Sequence, residues 1–134
     1  MGRETVTIEE WAARYARAWE QANDEAVGAL FTEDATYRSD PFREPYRGRE
    51  AIRAYWREVT STQANVEVAI GRTAVSGRQA LVEWWTQMDS DGAPVTLPGA
   101  LLLDLDENGI CRALREYWNL EVGRRVRPPE GWGS

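Results

Sequence analysis

Apolar residues recur every three or four positions near the start of the chain, a spacing that predicts an amphipathic helix. The run covers residues 7–22 and contains Trp11, Tyr15 and Trp19 on one side. Thr7 and Glu10 have the spacing of a capping box, in which the side chain of each residue accepts a hydrogen bond from the backbone N–H of the other. The first predicted element is therefore a helix that begins at Thr7.

Two shorter helices and one strand are predicted next. A second helix runs to Leu30 with Asn23 or Asp24 as its cap, and a third covers residues 49–59. Between them, residues 35–39 predict a short strand, which the proline that follows ends because it cannot extend a hydrogen-bonded ladder.

After about residue 65 apolar residues occupy every second position, which indicates β-strands. The first strand of this second half of the chain contains Val66, Val68 and Ile70. Longer strands are predicted over residues 79–89, 95–105 and 110–122. The turns between them are marked by Gly77, Asp91-Gly92 and Asn108-Gly109.

Helices followed by hairpins are typical of an α+β fold. We expect a strongly curved antiparallel sheet that wraps around the first helix as a cone, which the third helix closes. Aromatic side chains on the inner rows would then line an internal pocket. Residues 1–134 are interpreted as a single domain whose tail, about residues 124–134, leaves the sheet with its arginines solvated.

The composition removes several kinds of chemistry. All 16 basic residues are arginine, and the chain contains no lysine and no histidine. An imidazole base, a histidine-ligated metal and a Schiff-base lysine are thereby excluded. The lone Cys111 cannot form an internal disulfide and favours a reducing, cytoplasmic location. No metal site and no cofactor is implied.

Charge and hydropathy argue against two classes of partner. The net charge of −6 is unfavourable for nucleic acid binding, which needs a basic surface. No apolar run approaches the ~20 residues of a membrane-spanning helix, so no membrane partner is expected.

Two stretches resemble the ketosteroid isomerase branch of the SnoaL-like, nuclear-transport-factor-like superfamily. They are LFTEDATYRSDPFREPYRGREAIRAYW, residues 30–56, and LDENGICRALREYWNLE, residues 105–121. With ARYARAW of the first helix they cover more than half of the chain in the expected order. The resemblance implies the cone-shaped fold and its pocket, whereas the superfamily hosts many different activities.

Ketosteroid isomerases move a proton with one carboxylate and stabilise the enolate oxygen with a tyrosine and a protonated aspartate. The resemblance places Tyr15 at the tyrosine and Asp40 of SDPF at the general base, whereas an ungapped match places Ser39 there instead. The second oxyanion group falls on Leu101, which cannot donate a hydrogen bond. Glu116, a carboxylate on an inner row, either pairs with an arginine or supplies a second acid/base group.

Alternation along the strands and the resemblance together assign further side chains to the pocket. The expected lining consists of Trp19, Tyr37, Phe42, Trp56, Trp84, Thr86, Met88, Leu101, Leu103, Leu114 and Trp118. Trp19, Trp56 and Trp118 are expected to be largely buried.

The outer sheet row contains Trp85, Arg115 and Tyr117, a composition typical of interface hot spots, and Cys111 shares its parity. The resemblance implies a homodimer through this outer face, with Trp85 near its centre.

Several functions remain open at this stage. The leading hypothesis is a cofactor-independent isomerase, lyase or cyclase that abstracts a proton from a flat, mostly apolar molecule. A non-catalytic domain that binds a small apolar or aromatic ligand is the main alternative. An interaction module with a filled cone, or an engineered base catalyst on this scaffold, would also fit.

Overall fold

The computed structural model describes residues 5–134. Its three helices are α1 (Ile8–Glu20), α2 (Asp24–Gly28) and α3 (Arg49–Thr60). The capping box is present: the Thr7 hydroxyl accepts the Glu10 backbone N–H at 3.1 Å, and Glu10 accepts the Thr7 backbone N–H at 3.2 Å. Asn23, one of the two residues predicted to cap α2, does so: its side-chain oxygen accepts the backbone N–H of Ala26.

The structure contains seven strands in residues 5–134. They are β1 (Phe31–Arg38), β2 (Tyr46–Arg47), β3 (Gln63–Ser76), β4 (Gln79–Ser90), β5 (Ala93–Leu105), β6 (Cys111–Trp118) and β7 (Glu121–Val122). Five of them follow the predicted order, and the two short strands β2 and β7 were not predicted. The β4–β5 hairpin turns at Asp91 and Gly92, whose φ angles of 51° and 81° suit the two central positions of a tight hairpin.

The strands form one curved sheet in the order β2-β1-β6-β5-β4-β3, and β7 pairs with β5. The predicted α+β fold class is confirmed. The sheet is mixed rather than wholly antiparallel, because β1 runs parallel to β6. An alternating pattern assigns the two faces of a strand but not its direction, so the sequence could not reveal this pairing.

The inner face of the sheet holds the core. On β4 the alternate residues Val82, Trp84, Thr86 and Met88 are buried, as their spacing predicts. Helix α1 packs against β3, and α3 packs against β1. Asp24 ties α2 to α3 because its carboxylate receives hydrogen bonds from Arg53 at 3.1 Å and Arg57 at 3.2 Å.

The C-terminal tail crosses the outer face of the sheet, which corrects two expectations. The Trp85 indole donates to the backbone oxygen of Val126 at 2.8 Å, and its ring meets Trp132 edge-on at 5.7 Å. Arg124 and Arg127 are exposed as expected. Arg125 is only 27% exposed, because it donates to Glu67 at 3.2 Å and to the backbone oxygen of Asn65. The surface expected at the centre of a dimer is therefore covered by the same chain.

Cys111 is another correction, because it is fully buried instead of lying on the outer row. Leu105 pairs with Cys111 while Asp104 pairs with Ala113, so one extra residue on β6 changes the parity there. Burial raises the pKa of this thiol. Within residues 5–134, no helix is both long and apolar enough to span a bilayer.

Candidate functional site

An apolar cavity of about 250 Å³ opens between the helices and the inner face of the sheet. Its walls come from the end of α1, from α3, and from β4, β5 and β6. The lining residues are Trp19, Tyr55, Trp56, Val59, Gln63, Trp84, Met88, Ser90, Val95, Leu97, Glu116, Trp118 and Leu120. The cavity is thus bounded mainly by large aromatic and aliphatic side chains, with Glu116 among them.

Among the residues that the structure describes, Glu116 is the only charged side chain in this lining. It is 7% exposed, and its Oε1 accepts a hydrogen bond of 2.5 Å from the Tyr37 hydroxyl. Burial raises the pKa of Glu116 to about 7, and the Tyr37 hydrogen bond offsets part of that rise. At neutral pH this carboxyl group is therefore present in both its acid and its base form.

Three tyrosines surround the carboxyl group. Tyr37 lies on β1, Tyr15 on α1 and Tyr55 on α3, and the rings of Tyr37 and Tyr55 are 5.4 Å apart. Burial and the nearby Glu116 raise the pKa of all three phenols. The Tyr15 hydroxyl is fully buried beside Tyr37, but it makes no hydrogen bond of ordinary geometry within the described chain. All three phenols keep their protons at neutral pH.

Asp40 lies outside the cavity lining. Its Oδ1 accepts the backbone N–H of Phe42 at 2.9 Å, and its Oδ2 is 3.8 Å from Arg43. This is the self-capping turn that Asp before Pro commonly forms, with the carboxylate side chain 31% exposed. The turn directs Asp40 toward Arg43 and the solvent, whereas the neighbouring Ser39 lies against the Tyr55 hydroxyl.

Phe42 was expected in the pocket wall, but it is 94% exposed because the same turn carries it away from the sheet. Trp118 was expected to be buried and is instead 42% exposed at the cavity mouth. Its indole N–H donates to the backbone oxygen of Ser39 at 2.8 Å, which fixes the ring there.

The other predicted lining residues fall into two groups. Trp19, Trp56, Trp84 and Met88 do line the cavity. The remaining ones are buried but lie outside its lining: Tyr37, Thr86, Leu101, Leu103 and Leu114. Tyr15, which the resemblance places at the oxyanion tyrosine, is likewise buried and outside the lining. Inner-row alternation identifies residues that face the core, but it does not distinguish a filled part of the core from an open part.

Sequence reasoning did not assign several lining residues, among them Tyr55, Val59, Leu97 and Leu120. Tyr55 and Val59 share the apolar side of α3 with Trp56, so helical spacing could have added them. Leu120 lies between β6 and β7, but it continues the alternation of Glu116 and Trp118 along the predicted strand 110–122, so period-2 spacing could have added it. Leu97 likewise continues the inner row of Leu101 and Leu103. Two donors in the wall, the indole N–H groups of Trp56 and Trp84, have no hydrogen-bond partner within residues 5–134.

The sequence profile of the SnoaL-like domain matches residues 12–113, which include most of the cavity. The chain belongs to the SnoaL-like domain family. The resemblance noted in the sequence is thereby confirmed at the level of the superfamily. In the described part of this SnoaL-like domain, no three acidic or cysteine side chains lie close enough together to hold a metal ion.

Solved structures share the fold of this SnoaL-like domain. One is a protein with a ketosteroid isomerase-like fold from Catenulispora acidiphila, in complex with trimethylamine. It is 27% identical with a TM-score of 0.73, and the match covers 81% of this chain and 84% of that one. Another is SalBIII, an epoxide hydrolase/cyclase-like enzyme in pyran ring formation in the polyether salinomycin. It is 23% identical with a TM-score of 0.73, over 85% of this chain and 94% of that one.

Proposed function

We propose that this SnoaL-like domain is a cofactor-independent enzyme in which Glu116 exchanges a proton with a small molecule held in the aromatic cavity. The observation that carries the proposal is the carboxyl group itself, buried in the wall of an open cavity with a pKa of about 7. A general acid or base works best when its pKa lies near the working pH.

The contacts of Glu116 support a role in proton transfer. The Tyr37 hydroxyl binds Oε1, and it is the only hydrogen-bond donor to this carboxyl group among the described residues. The second oxygen, Oε2, thus remains for a ligand. The ionised form would take a proton from a carbon atom beside an electron-withdrawing group, and the protonated form would return it elsewhere. Isomerisation, elimination and ring closure all follow this scheme.

The proposal transfers the role of general base from Asp40 to Glu116, since the Asp40 carboxylate is already engaged by Phe42 and lies near Arg43. Tyr15 keeps a supporting role, because its hydroxyl lies behind Tyr37 and not in the cavity lining. The structure bound to trimethylamine supports the idea that this fold encloses small ligands.

A non-catalytic ligand-binding domain is the second candidate. It is favoured by Leu101, which occupies the position where the resemblance implies a second oxyanion donor. Leu101 is fully buried and pairs with Glu116 across β5 and β6, so no donor replaces the missing group there. Loss of one such donor typically costs about 2.7–4 kcal/mol of transition-state stabilisation.

A screen of carbon acids, including cyclic β,γ-unsaturated ketones, tests the enzymatic proposal. Glu116→Gln should lower kcat/KM by roughly 100-fold or more, whereas Asp40→Asn should change it only a few-fold. The wild-type rate should rise with pH and level off above about 7, as Glu116 ionises. If Asp40→Asn abolishes turnover and Glu116→Gln does not, the role returns to Asp40. Binding without turnover in the whole screen would favour the second candidate.

The same proposal includes a homodimer through the outer sheet face and a cytoplasmic location. With Trp85 covered by the tail, the dimer contact would move to the part of that face where Leu102 and Tyr117 are 37% and 47% exposed. The buried, unpaired Cys111 is consistent with a reducing compartment.

A further inference from the structure

The aromatic residues of the cavity are arranged as a cage. Five rings from three helical and two strand positions line it, namely those of Trp19, Tyr55, Trp56, Trp84 and Trp118. Trp19 meets Trp56 edge-on at 5.3 Å and Trp84 edge-on at 5.2 Å, so its indole is held at a steep angle to each of the other two. The face of an aromatic ring carries partial negative charge.

No positive charge balances Glu116. Of the residues that the structure describes, no arginine lines the cavity, and none forms an ion pair with this carboxylate. An ionised carboxylate in an apolar wall is costly unless an opposite charge compensates it. The cavity therefore combines five aromatic rings with one carboxyl group that has no positively charged partner among the described residues.

We infer that the ligand of this cavity is a compact organic cation, a tertiary or quaternary ammonium group whose charge lies among the aromatic rings with Glu116 as its counterion. Aromatic rings attract such a cation at distances of about 6 Å or less, most strongly when it is desolvated. The inference rests on the proposed function and names the chemical class of the molecule that the site would take.

The polar groups of the wall favour an alkylated ammonium over a primary one. A primary ammonium brings three N–H donors, and donors buried without partners cost stability. The side-chain acceptors of the lining are few: Glu116, the hydroxyls of Ser90 and Tyr55, and Gln63, whose Oε1 already accepts the Trp19 indole N–H at 2.8 Å. A cation whose surface consists of methyl groups needs no further acceptors, and it fits a cavity of about 250 Å³.

Binding of a cation should depend on pH through Glu116. The titratable groups that face it are Tyr15 from α1, Tyr37 from β1 and Tyr55 from α3, whereas its β5 partner is Leu101. The phenols stay neutral because burial raises the pKa of each. Glu116 is thus the group that changes charge near neutral pH, and the bound cation would favour its ionised form and release a proton.

The test compares choline with 3,3-dimethylbutan-1-ol, an uncharged molecule of the same shape, by titration calorimetry of the full chain. At pH 8 choline should bind about 10-fold more tightly or better. Its affinity should rise by about 10-fold from pH 6 to pH 8, because Glu116 with a pKa of about 7 becomes ionised. The affinity of the alcohol should stay constant over this range.

Two variants and one control complete the experiment. Glu116→Gln keeps the shape of the side chain and should remove both the preference for choline and its pH dependence. Trp118→Leu, at the half-open mouth, should weaken choline binding several-fold more than alcohol binding. Glu107→Gln changes an exposed carboxylate outside the cavity lining and should bind like the wild type.

Equal affinity for the two molecules, or no binding of choline at pH 8, would overturn the cation inference. In either case, turnover of neutral carbon acids that is lost in Glu116→Gln would leave the proposed function intact. Conversely, if the protein prefers choline but turns over none of the carbon acids, the cavity binds an organic cation as inferred and the enzymatic proposal is rejected.

Discussion

A carboxyl group on an inner sheet row lowers stability whenever it carries its charge. Glu116 illustrates this, because its pKa in the folded protein is about 7, well above the ordinary 4.5. Between these two values the folded protein holds a proton that the unfolded chain releases. The contribution of Glu116 is therefore most favourable below pH 4.5, falls as pH rises to about 7, and stays constant above that.

Glu116→Gln should remove this dependence. We expect the variant and the wild type to differ little near pH 4, and the variant to be more stable at pH 8 by up to about 3 kcal/mol. Urea unfolding of both proteins across this pH range measures the difference. A wild type that gains stability relative to the variant as pH rises would contradict the assigned pKa shift.

Tyr37 adjusts the acidity of the same group. Its hydroxyl donates to Glu116 Oε1 and lowers the pKa of that carboxyl group, against the larger effect of burial. Tyr37→Phe removes the donor while keeping the ring, so the pKa of Glu116 should rise further and the pH–rate profile should move to higher pH. NMR titration of the carboxyl carbon measures this shift. Tyr117→Phe, an exposed phenol on the outer row, serves as control.

At the scale of elements, the tail shows how a segment without regular structure is held in place. Thr96 Oγ1 donates to the backbone oxygen of Arg124 and accepts the Val126 backbone N–H. Trp132 lies against Gly71, where an added Cβ would come within 2.9 Å of the indole ring. The glycine thus leaves space on β3 for the ring, and Trp85 supplies its second contact.

Trp132→Ala should release the end of this tail. Loss of the edge-on contact with Trp85 and of the buried ring area should lower the free energy of unfolding by roughly 1–2 kcal/mol. Hydrogen exchange at the Val126 amide should become faster. Val122→Ala, at a side chain that is 69% exposed, should change neither quantity. Unchanged protection at Val126 would show that Trp132 does not hold the tail.

The element boundaries illustrate what local patterns reveal. The predicted first helix and its Thr7 cap, the start of α3 at residue 49 and the Asp91-Gly92 hairpin were all correct, since each depends on residues close in sequence. The short strand was predicted over residues 35–39 but spans Phe31–Arg38. Its first half pairs irregularly with β6, so a strict alternation is absent there.

At the scale of the whole molecule, the open question is how two copies would meet. Leu102 and Tyr117 are exposed on neighbouring strands of the outer face, next to the area that the tail covers. A symmetric interface through this patch would use each residue twice, so one substitution affects both halves.

If the proposed dimer forms, Leu102→Lys should convert it to a monomer without loss of the fold, because Leu102 is 37% exposed and outside the core. Sedimentation velocity at tens of micromolar measures the change. Val75→Lys, at a 53% exposed position near the end of β3, should remain dimeric. A monomeric wild type at this concentration would reject the dimer altogether.

The sequence by itself determined the three helices, the five longer strands, the faces of most strand residues and the SnoaL-like family, because periodicity and turn residues act over short distances. It also marked Glu116 as an inner-row carboxylate. Only the tertiary structure decided that Asp40 turns outward, that Tyr37 binds Glu116 and that the tail covers Trp85. The Tyr37–Glu116 and Trp85–Val126 contacts join residues far apart in the chain, so no local pattern reveals them. The Asp40 turn is local, but whether it aims the carboxylate into the cavity or away from it depends on how the turn packs against the sheet.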